Sequence, residues 1–338
     1  MLNVLIDMPL NDPLLSVLRN MDGINVKIVP TPEEMLRSLP DDLIKDCDIL
    51  FCTIPPENHL QMKKLKLIQI SSTGFAQVVG KEFEERGISV CNSLGVFDIP
   101  IAEWNIAMMI NLTRNLRTMM HNQDSQIWDR SSKFQSEIRG SVVGIWGYGG
   151  IGRETTRMAK ALGMKVHVLN RTIPGERVNT YGTLGTGDVN ATLPDKVFLM
   201  NEKRDFLSGI DFLIMAIPQT SSTINIIGEE ELKMLRPHVF LLNPARGPLI
   251  NEEALVKALK EGWIAGAALD THYYYPMPKD HPFWNMQNVI LTPHISGSSG
   301  SNRFLERVWD ILIENVKRIK NKDPLLNLLT PQQLKGNS

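Results

Sequence analysis

The sequence predicts two α/β domains, each built on a doubly wound parallel sheet, with a cleft between them. Its 338 residues, of which 43% are hydrophobic, suffice for two buried cores. A glycine-rich turn that ends at Gly152 lies almost halfway along the chain, so another unit folds before it. Apolar strands alternate with helices through the first hundred residues, which is typical of a parallel sheet with helical crossovers.

The elements of the first domain follow from this alternation. Two long helices, over residues 99–121 and 302–320, flank the glycine-rich unit, and Pro100 fits the first turn of the former. The last segment therefore returns to complete the first domain, and we expect domains of 1–112 with 302–338, and of 113–301. The predicted strands of the first domain are 2–6, 27–29, 49–52, 67–71 and 89–92, with helices over 13–19 and from Pro32.

The glycine-rich turn closes the segment Ser-Val-Val-Gly-Ile-Trp-Gly-Tyr-Gly-Gly-Ile-Gly. Residues 142–146 before it read as a buried parallel strand. Residues 153–162 after it read as a helix that Gly163 stops. A strand, a tight turn and a helix in this order form a dinucleotide-binding unit.

Each glycine of this turn has a physical role. Gly147 permits the turn, Gly149 lets the backbone approach a pyrophosphate, and Gly152 lets helix and strand pack closely. Amides near Gly150 and Ile151 face the anion at the helix N-terminus. The candidate cofactor-binding residues of this motif are Gly147, Tyr148, Gly149, Gly150, Ile151 and Gly152.

The next strand, residues 165–169, ends where NAD enzymes usually carry an acidic residue for the adenosine ribose. This chain has Asn170, Arg171 and Thr172 there instead. Without the carboxylate a 2′-phosphate is not repelled, and Arg171 and Thr172 offer it donors. The pattern favours NADP(H), the alternative being an ordinary surface arginine in an enzyme that uses NAD(H).

Residues 173–200, rich in Gly, Thr, Asn and Asp, predict an unusually long irregular connection near the adenosine end. The segment is either a cofactor flap or a surface insertion.

Composition indicates a small-molecule partner. The net charge of -1, with interspersed signs, argues against nucleic acid or membrane partners. Residues 1–7 lack the basic start and long apolar core of a signal peptide, and no apolar segment is long enough to span a membrane, so we expect a cytoplasmic protein. Cys47, Cys52 and Cys91 lie in apolar segments and are expected to be reduced and buried.

Three later segments place polar residues just beyond apolar strands, the sheet edge where ligands bind in α/β proteins. They are Leu241-Leu-Asn-Pro-Ala-Arg-Gly247, Gly266-Ala-Ala-Leu-Asp270 and Leu291-Thr-Pro-His-Ile-Ser-Gly297. With the glycine-rich turn before them, they resemble the D-isomer-specific 2-hydroxyacid dehydrogenase family, in particular its glyoxylate and hydroxypyruvate reductases. The resemblance covers nearly the whole chain and includes Gly95 to Trp104, Ile217 to Thr220 and Asp280 to Trp284.

This resemblance implies a flavodoxin-like substrate domain and a Rossmann cofactor domain. The implied reaction is the reversible NAD(P)H-dependent reduction of a 2-oxo acid to a D-2-hydroxy acid, with domain closure excluding water. It also implies a homodimer formed through the cofactor domains, with residues 113–134 as an arm.

The resemblance also assigns site residues. Arg246 matches the arginine that holds the substrate carboxylate, for which its planar fork is suited. His294 matches the acid/base that protonates the 2-oxo oxygen. Ser72, Thr73 and Gly74 fall in the loop that receives the substrate carboxylate, although Ala76 stands where an aspartate is common. The remaining implied cofactor-binding residues are Asp270, placed near the nicotinamide carboxamide, and Pro218, Thr223, Ala245, His294 and Gly297.

The chain departs from the family pattern at Tyr275. The family usually has a glutamate there, just before Pro276, that pairs with the catalytic histidine. A neutral phenol supplies orientation but little charge, so we expect a lower pKa for His294 and a more acidic optimum for reduction. Alternatively, Tyr273, Tyr274 and Tyr275 form a packing or substrate-pocket feature.

Two other functions remain open. A chain without the usual glutamate could be a regulatory protein that senses a bound dinucleotide, although Arg246 and His294 argue against it. It could also oxidise another small anion, such as formate or phosphite. The spacing of His272, His281 and His294 lacks a usual metal-ligand pattern. The identity of the 2-oxo acid is open, since the tyrosines could also accept a bulky side chain.

Overall fold

The computed structural model describes residues 1–32 and 35–336 and divides the chain into two compact units. The first unit comprises Met1–Val96, Val178–Thr183 and the described residues from Ser299 onward, and the second comprises Phe97–Arg177 and Leu184–Ser298. The sequence-based boundary after residue 112 placed the long helix in the first domain, whereas this division places it in the second.

The strands, in chain order, are β1 (Leu2–Asp7), β2 (Ile24–Ile28), β3 (Ile49–Cys52), β4 (Leu67–Ile70), β5 (Ser89–Cys91), β6 (Val142–Trp146), β7 (Lys165–Asn170), β8 (Lys196–Leu199), β9 (Phe212–Met215), β10 (Phe240–Asn243), β11 (Gly266–Leu269) and β12 (Val289–Leu291). The α-helices are α1 (Asp12–Arg19), α2 (Asp41–Ile44), α3 (Asp98–Thr113), α4 (Leu116–Asp124), α5 (Gly150–Ala161), α6 (Lys203–Ser208), α7 (Glu229–Met234), α8 (Glu252–Glu261), α9 (Asn302–Asn321) and α10 (Pro331–Leu334).

The first unit contains a five-stranded parallel sheet in the order β2-β1-β3-β4-β5. This is the flavodoxin-like order. Strands β3 and β4 are buried at every residue, as expected for central strands covered on both faces. The predicted flavodoxin-like fold of this unit is confirmed.

The second unit contains a seven-stranded parallel sheet in the order β12-β11-β10-β9-β6-β7-β8. Its strand order reverses beside β6, so β6 and β9 flank the point where α/β sheets bind their ligands. This is the Rossmann order extended by one strand, which confirms the predicted fold class.

Four element predictions were wrong in part. The strand expected over 27–29 is β2, which begins earlier, at Ile24, and ends at Ile28. The helix expected from Pro32 does not extend over residues 35–40, and residues 33 and 34 lie outside the described residues. Pro40 disfavours the helical conformation of Leu39, the residue before it, and α2 starts just after it.

The other two errors concern the second unit. The helix predicted over 99–121 is divided at Asn115, whose backbone is left-handed (φ 49°, ψ 45°), a conformation that asparagine tolerates well. The irregular connection predicted over 173–200 ends earlier, because β8 pairs with β7 from Lys196 onward.

The three cysteines are buried and free, as predicted. Burial raises the pKa of the Cys47 and Cys91 thiols to about 12, so these groups stay protonated. Within the described residues, no helix combines the length and apolar character needed to cross a membrane.

Candidate active site

The carboxyl ends of β10, β11 and β12 lie side by side in the second unit and carry the three polar segments singled out in the sequence. Asn243, at the end of β10, is buried and organises the turn that follows. Its side-chain oxygen accepts the N–H of Ala245 (3.1 Å) and of Arg246 (3.3 Å), and its amide donates to the Arg246 carbonyl (2.8 Å). The Arg246 side chain is exposed, with Nη1 donating to the Ala245 carbonyl (2.6 Å).

Asp270, which follows β11, organises the loop after β12. Its carboxylate is fully buried and accepts four hydrogen bonds. Oδ1 accepts the Thr292 hydroxyl (2.6 Å) and the Ile295 N–H (2.9 Å). Oδ2 accepts the N–H (3.0 Å) and the hydroxyl of Ser296. A carboxylate can accept about four hydrogen bonds, and these four donors all belong to the loop after β12. The Asp270 carboxylate therefore holds this loop.

His294 lies inside the loop that Asp270 holds. Its backbone is left-handed (φ 58°), which is uncommon for a residue with a side chain, and its N–H donates to the Asp270 carbonyl (2.8 Å). Such a conformation persists where neighbouring contacts fix it, and it often marks a functional site. Here the bonds on both sides of His294 fix the backbone, while its ring reaches the surface.

The pKa of His294 is lowered from its ordinary value of 6.5. The largest cause is desolvation of the ring, and the positive charge of Arg246 lowers the pKa further, while the Asp270 carboxylate opposes both. The lowered pKa of His294 agrees in direction with the expectation from the sequence. Its causes, however, are desolvation of the ring and the charge of Arg246. Arg246, Asp270 and His294 therefore form one electrostatic group.

Tyr275 lies beside His294, with ring centroids 5.6 Å apart and an interplanar angle of 56°. Its hydroxyl oxygen accepts the His272 N–H (3.3 Å), and the side chain is 59% exposed. The Tyr275 ring therefore lies beside the imidazole, at the position where the family resemblance implies a carboxylate.

His272 and His281, whose spacing with His294 was considered above as a possible metal-ligand pattern, make local structural contacts. His272 is buried and its Nε2 lies 2.8 Å from the Thr292 carbonyl, so Nε2 carries the proton. Its Nδ1 has no hydrogen-bond partner among the described residues. His281 lies 2.7 Å from Glu252, which also accepts the Tyr274 hydroxyl (3.3 Å).

The glycine-rich turn has the geometry its glycines predict. Gly147 has φ 103°, and a Cβ there would lie 2.5 Å from the Ala216 carbonyl oxygen. A Cβ on Gly152 would lie 2.5 Å from the Gly147 oxygen, so α5 approaches β6 closely. Gly149 faces open space. Open space at an N-terminal helix turn fits a diphosphate, so the residues present are compatible with a dinucleotide.

Tyr148 and Arg153 tie the long connection to this turn. The buried Tyr148 hydroxyl donates to Asp188 (2.6 Å), which raises the tyrosine pKa together with burial, the larger cause. The buried Arg153 guanidinium donates to the carbonyls of Tyr148, Asp188, Val189 and Gly175. The connection is thus anchored beside the turn, and the Tyr148 side chain serves this anchor.

The adenosine-side candidates are exposed or partly buried. Asn170 donates from its amide to the Thr172 carbonyl (2.8 Å), and Arg171 and Thr172 are exposed. The Thr223 hydroxyl accepts the Thr220 N–H (2.7 Å) and donates to the Pro218 carbonyl (2.8 Å), so it serves its own loop. Two further cofactor candidates are partly buried, Ala245 and Gly297.

The substrate loop of the first unit is well bonded despite Ala76. The Ser72 hydroxyl donates to the Gly74 carbonyl (2.7 Å) and accepts the Gln77 amide (2.7 Å). Asn92 donates to the Thr73 carbonyl (2.7 Å). Gln77 and Asn92 therefore give this loop its side-chain support.

Sequence reasoning missed several of these positioning residues. Thr292 and Ser296, which bond Asp270, stand two residues on either side of His294, and that symmetric pair of hydroxyls was a usable signal. Trp104 donates its indole N–H to the Thr292 hydroxyl (3.1 Å) from 188 residues away, and no local pattern indicates it.

Comparison with known proteins identifies the family of the chain. The family model described as "D-isomer specific 2-hydroxyacid dehydrogenase, NAD binding domain" matches residues 106–296. A glyoxylate reductase of Thermofilum pendens is 31% identical over 295 residues, which is 85% of this chain and 81% of that protein.

Two solved structures share the fold. The NAD-complexed D-isomer specific 2-hydroxyacid dehydrogenase of Lactobacillus delbrueckii ssp. bulgaricus has a TM-score of 0.78 at 22% identity, covering 98% of this chain and 100% of its own. A probable 2-hydroxyacid dehydrogenase of Rhizobium etli, in complex with NADP, has a TM-score of 0.70 at 20% identity, covering 99% and 100%. The chain belongs to the D-isomer-specific 2-hydroxyacid dehydrogenase family, oxidoreductases that interconvert 2-oxo acids and 2-hydroxy acids with a nicotinamide cofactor.

Proposed function

We propose that this protein reduces a small 2-oxo acid to the D-2-hydroxy acid, reversibly and with a preference for NADP(H). The observation that carries the proposal is the placement of a fixed, exposed imidazole, His294, and of Arg246 at the carboxyl edge of one sheet, after β12 and β10. An acid/base beside an anion-binding cation is the arrangement that reduction of a 2-oxo acid requires. The Thermofilum pendens glyoxylate reductase supports glyoxylate or a similarly small substrate.

Each proposed site residue has a defined task. Arg246 binds the substrate carboxylate through the guanidinium donors that its bond to Ala245 leaves available. Protonated His294 gives its proton to the carbonyl oxygen, which becomes the hydroxyl, and the neutral ring takes it back in the reverse direction. Ser72, Thr73 and Gly74 remain proposed ligands of the same carboxylate. A reduced nicotinamide, when bound, supplies the hydride that the carbonyl carbon accepts.

The cofactor proposal rests on the glycine-rich turn and on the residues after β7. Gly149 and the N-terminal amides of α5 would hold the diphosphate, and Asn170, Arg171 and Thr172 the 2′-phosphate of NADP(H). A guanidinium forms strong charge-assisted bonds to a phosphate, and no carboxylate side chain stands at these three positions to repel it.

The proposal includes a homodimer formed through the second unit. The segment over residues 113–134 exposes Met120 (60%), Ile127 (54%) and Trp128 (88%). Exposed large apolar side chains on one segment are typical of an interaction surface.

The test is to follow oxidation of NADPH and NADH against glyoxylate, hydroxypyruvate, pyruvate and phenylpyruvate, between about pH 5.5 and 8, which brackets the free histidine pKa. Turnover with a small 2-oxo acid is the expected result. Tight cofactor binding without turnover of any 2-oxo acid would instead favour a dinucleotide sensor. Cofactor reduction by formate or phosphite would favour small-anion oxidation.

Replacing Tyr275 with glutamate is expected to extend reduction toward higher pH. The imidazole must carry its proton for reduction, and the wild-type pKa is lowered below 6.5, so kcat/KM falls as the pH rises through that low value. A carboxylate beside the imidazole raises its pKa by about one unit or more. The pH profile of kcat/KM for reduction should move its alkaline limb upward by that amount.

Tyr275→Phe is the matched control, because it keeps the ring but adds no charge. Its alkaline limb should coincide with that of the wild type. If Tyr275→Glu also gives the wild-type profile, the side chain at 275 does not influence His294, and the electrostatic explanation is wrong.

Replacing Arg171 with alanine is expected to lower kcat/KM for NADPH by about 10- to 100-fold, the value of a charge-assisted hydrogen bond or two. The NADH value should change by less than about twofold, within the usual range for a surface substitution. Arg204→Ala, which removes another exposed arginine of the same unit, should change neither value. Equal losses with both cofactors would show that Arg171 does not read the 2′-phosphate.

A further inference from the structure

The carboxylate of Asp98 lies against the glycine-rich turn. Asp98 is the first residue of α3, and α3 packs along α5. A Cβ built on Gly150 would collide with the Asp98 carboxylate carbon and both of its oxygens. The carboxylate therefore uses the space that the missing side chain of Gly150 leaves, at the first residue of α5.

This carboxylate is paired with Arg177. Nη1 of Arg177 lies 3.2 Å from Oδ2 of Asp98, and the two side chains are 20% and 14% exposed. An ion pair with this much burial is screened less by solvent than a pair on the surface. The Arg177 guanidinium is thus held beside the N-terminal turn of α5 by its ion pair with Asp98, whose carboxylate lies against Gly150 of that turn.

The backbone of Arg177 is fixed by the long connection. Its N–H donates to the Val189 carbonyl (3.0 Å), which also accepts Nη1 of Arg153 (3.0 Å). Arg153 itself is buried and donates to backbone carbonyls, so its charge is committed to the anchor. Arg177 differs from Arg153, because its side chain donates to an anion at the turn, the Asp98 carboxylate.

We propose that Arg177 is a ligand of the cofactor diphosphate and that Asp98 competes with this diphosphate for the place beside Gly150, an inference that rests on the proposed nicotinamide-dependent function. The N-terminal turn of α5 attracts anions, and two anions cannot share one place without strong repulsion. The incoming diphosphate displaces the Asp98 carboxylate from this place and binds Arg177, which had paired with Asp98. Arg177 then pairs with phosphate oxygens, which suit its fork.

The test is isothermal titration of the purified protein with NADPH, and with ADP as a fragment that contains the diphosphate. Asp98→Asn is expected to lower the Kd of both by about tenfold, since it removes the competing charge and releases Arg177. Arg177→Gln is expected to raise both by about tenfold or more. The double variant should bind more weakly than Asp98→Asn alone.

Two controls isolate the diphosphate. Adenosine 2′-phosphate, which lacks it, should bind all variants within about twofold of the wild type, the range of a substitution outside its contacts. Asp195→Asn removes another ion pair of the same unit, with Lys160 (2.8 Å), before the amino end of β8, and should leave the NADPH Kd unchanged. Thermal unfolding of each variant, with Asp98→Ser as a second substitution, identifies any loss of folding.

The outcomes separate the two proposals. If the wild type binds NADPH but Asp98→Asn and Asp98→Ser bind it no tighter, Asp98 does not compete and the inference is overturned. If the double variant binds as tightly as Asp98→Asn, Arg177 is not a ligand. If neither the folded wild type nor any variant binds NADPH, NADH or ADP, the inference and the proposed function both fail.

Discussion

Replacing His294 with asparagine is expected to lower kcat for reduction of a 2-oxo acid by about 100- to 10,000-fold, the usual contribution of a general acid. Asparagine is the appropriate substitute because residue 294 is left-handed (φ 58°), a conformation that asparagine adopts readily. Its N–H can still donate to the Asp270 carbonyl, so the loop should keep its shape. The Kd of NADPH, measured by titration, should change by less than about threefold, as for a substitution that leaves the backbone intact.

The matched control is His238→Asn. His238 lies in the same unit before the amino end of β10, is exposed, and pairs with Asp211 (2.9 Å), so its loss should leave kcat unchanged. Activity of His294→Asn above about a tenth of the wild-type value would mean that another group delivers the proton. Tyr275, whose ring lies 5.6 Å away, would be the first residue to test.

Replacing Asp270 with asparagine is expected to destabilise the second unit and to lower activity together. The carboxylate accepts four donors, but an amide side chain has one acceptor oxygen and presents N–H groups to the rest. Each buried donor left unpaired costs about 1–3 kcal/mol, so the free energy of unfolding should fall by about 2–5 kcal/mol. Denaturant titration measures this change, and steady-state kinetics measures the loss of activity.

The pH profile separates positioning from destabilisation. The Asp270 charge raises the pKa of His294, so its removal should move the alkaline limb of the remaining reduction to lower pH. Ser296→Ala, which removes one donor and keeps the charge, should cost less stability and leave the limb in place. A rise in cofactor KM with unchanged stability would instead support the position near the nicotinamide carboxamide that the family resemblance implies.

The sequence by itself determined the two parallel sheets and the position of the dinucleotide turn. The strand predicted over 142–146 is β6, residue for residue, because an apolar run followed by glycines depends on its own few residues. The order of the four motifs indicated the family and put Arg246 and His294 forward. The alignment of Tyr275 with the usual glutamate also predicted a ring beside His294, and the structure places it there.

The local errors have local causes that the apolar pattern does not contain. The helix expected over 99–121 is divided because one residue, Asn115, takes a left-handed backbone. The helix expected from Pro32 does not extend over residues 35–40, and the next helix, α2, begins only after Pro40. Hydrophobic periodicity averages over many residues, so a single backbone conformation changes an element without changing its pattern.

Only the tertiary structure decided which polar groups meet. The Asp270 carboxylate bonds residues 22 to 26 positions away, and the Asp98 carboxylate pairs with Arg177, 79 positions away. Each residue was visible in the sequence as a charge, but its partner depends on which strands are neighbours in the sheet and which helices pack together. Periodicity and turn chemistry act within a few residues, whereas the groups that hold His294 and face the cofactor turn are set by contacts between distant elements.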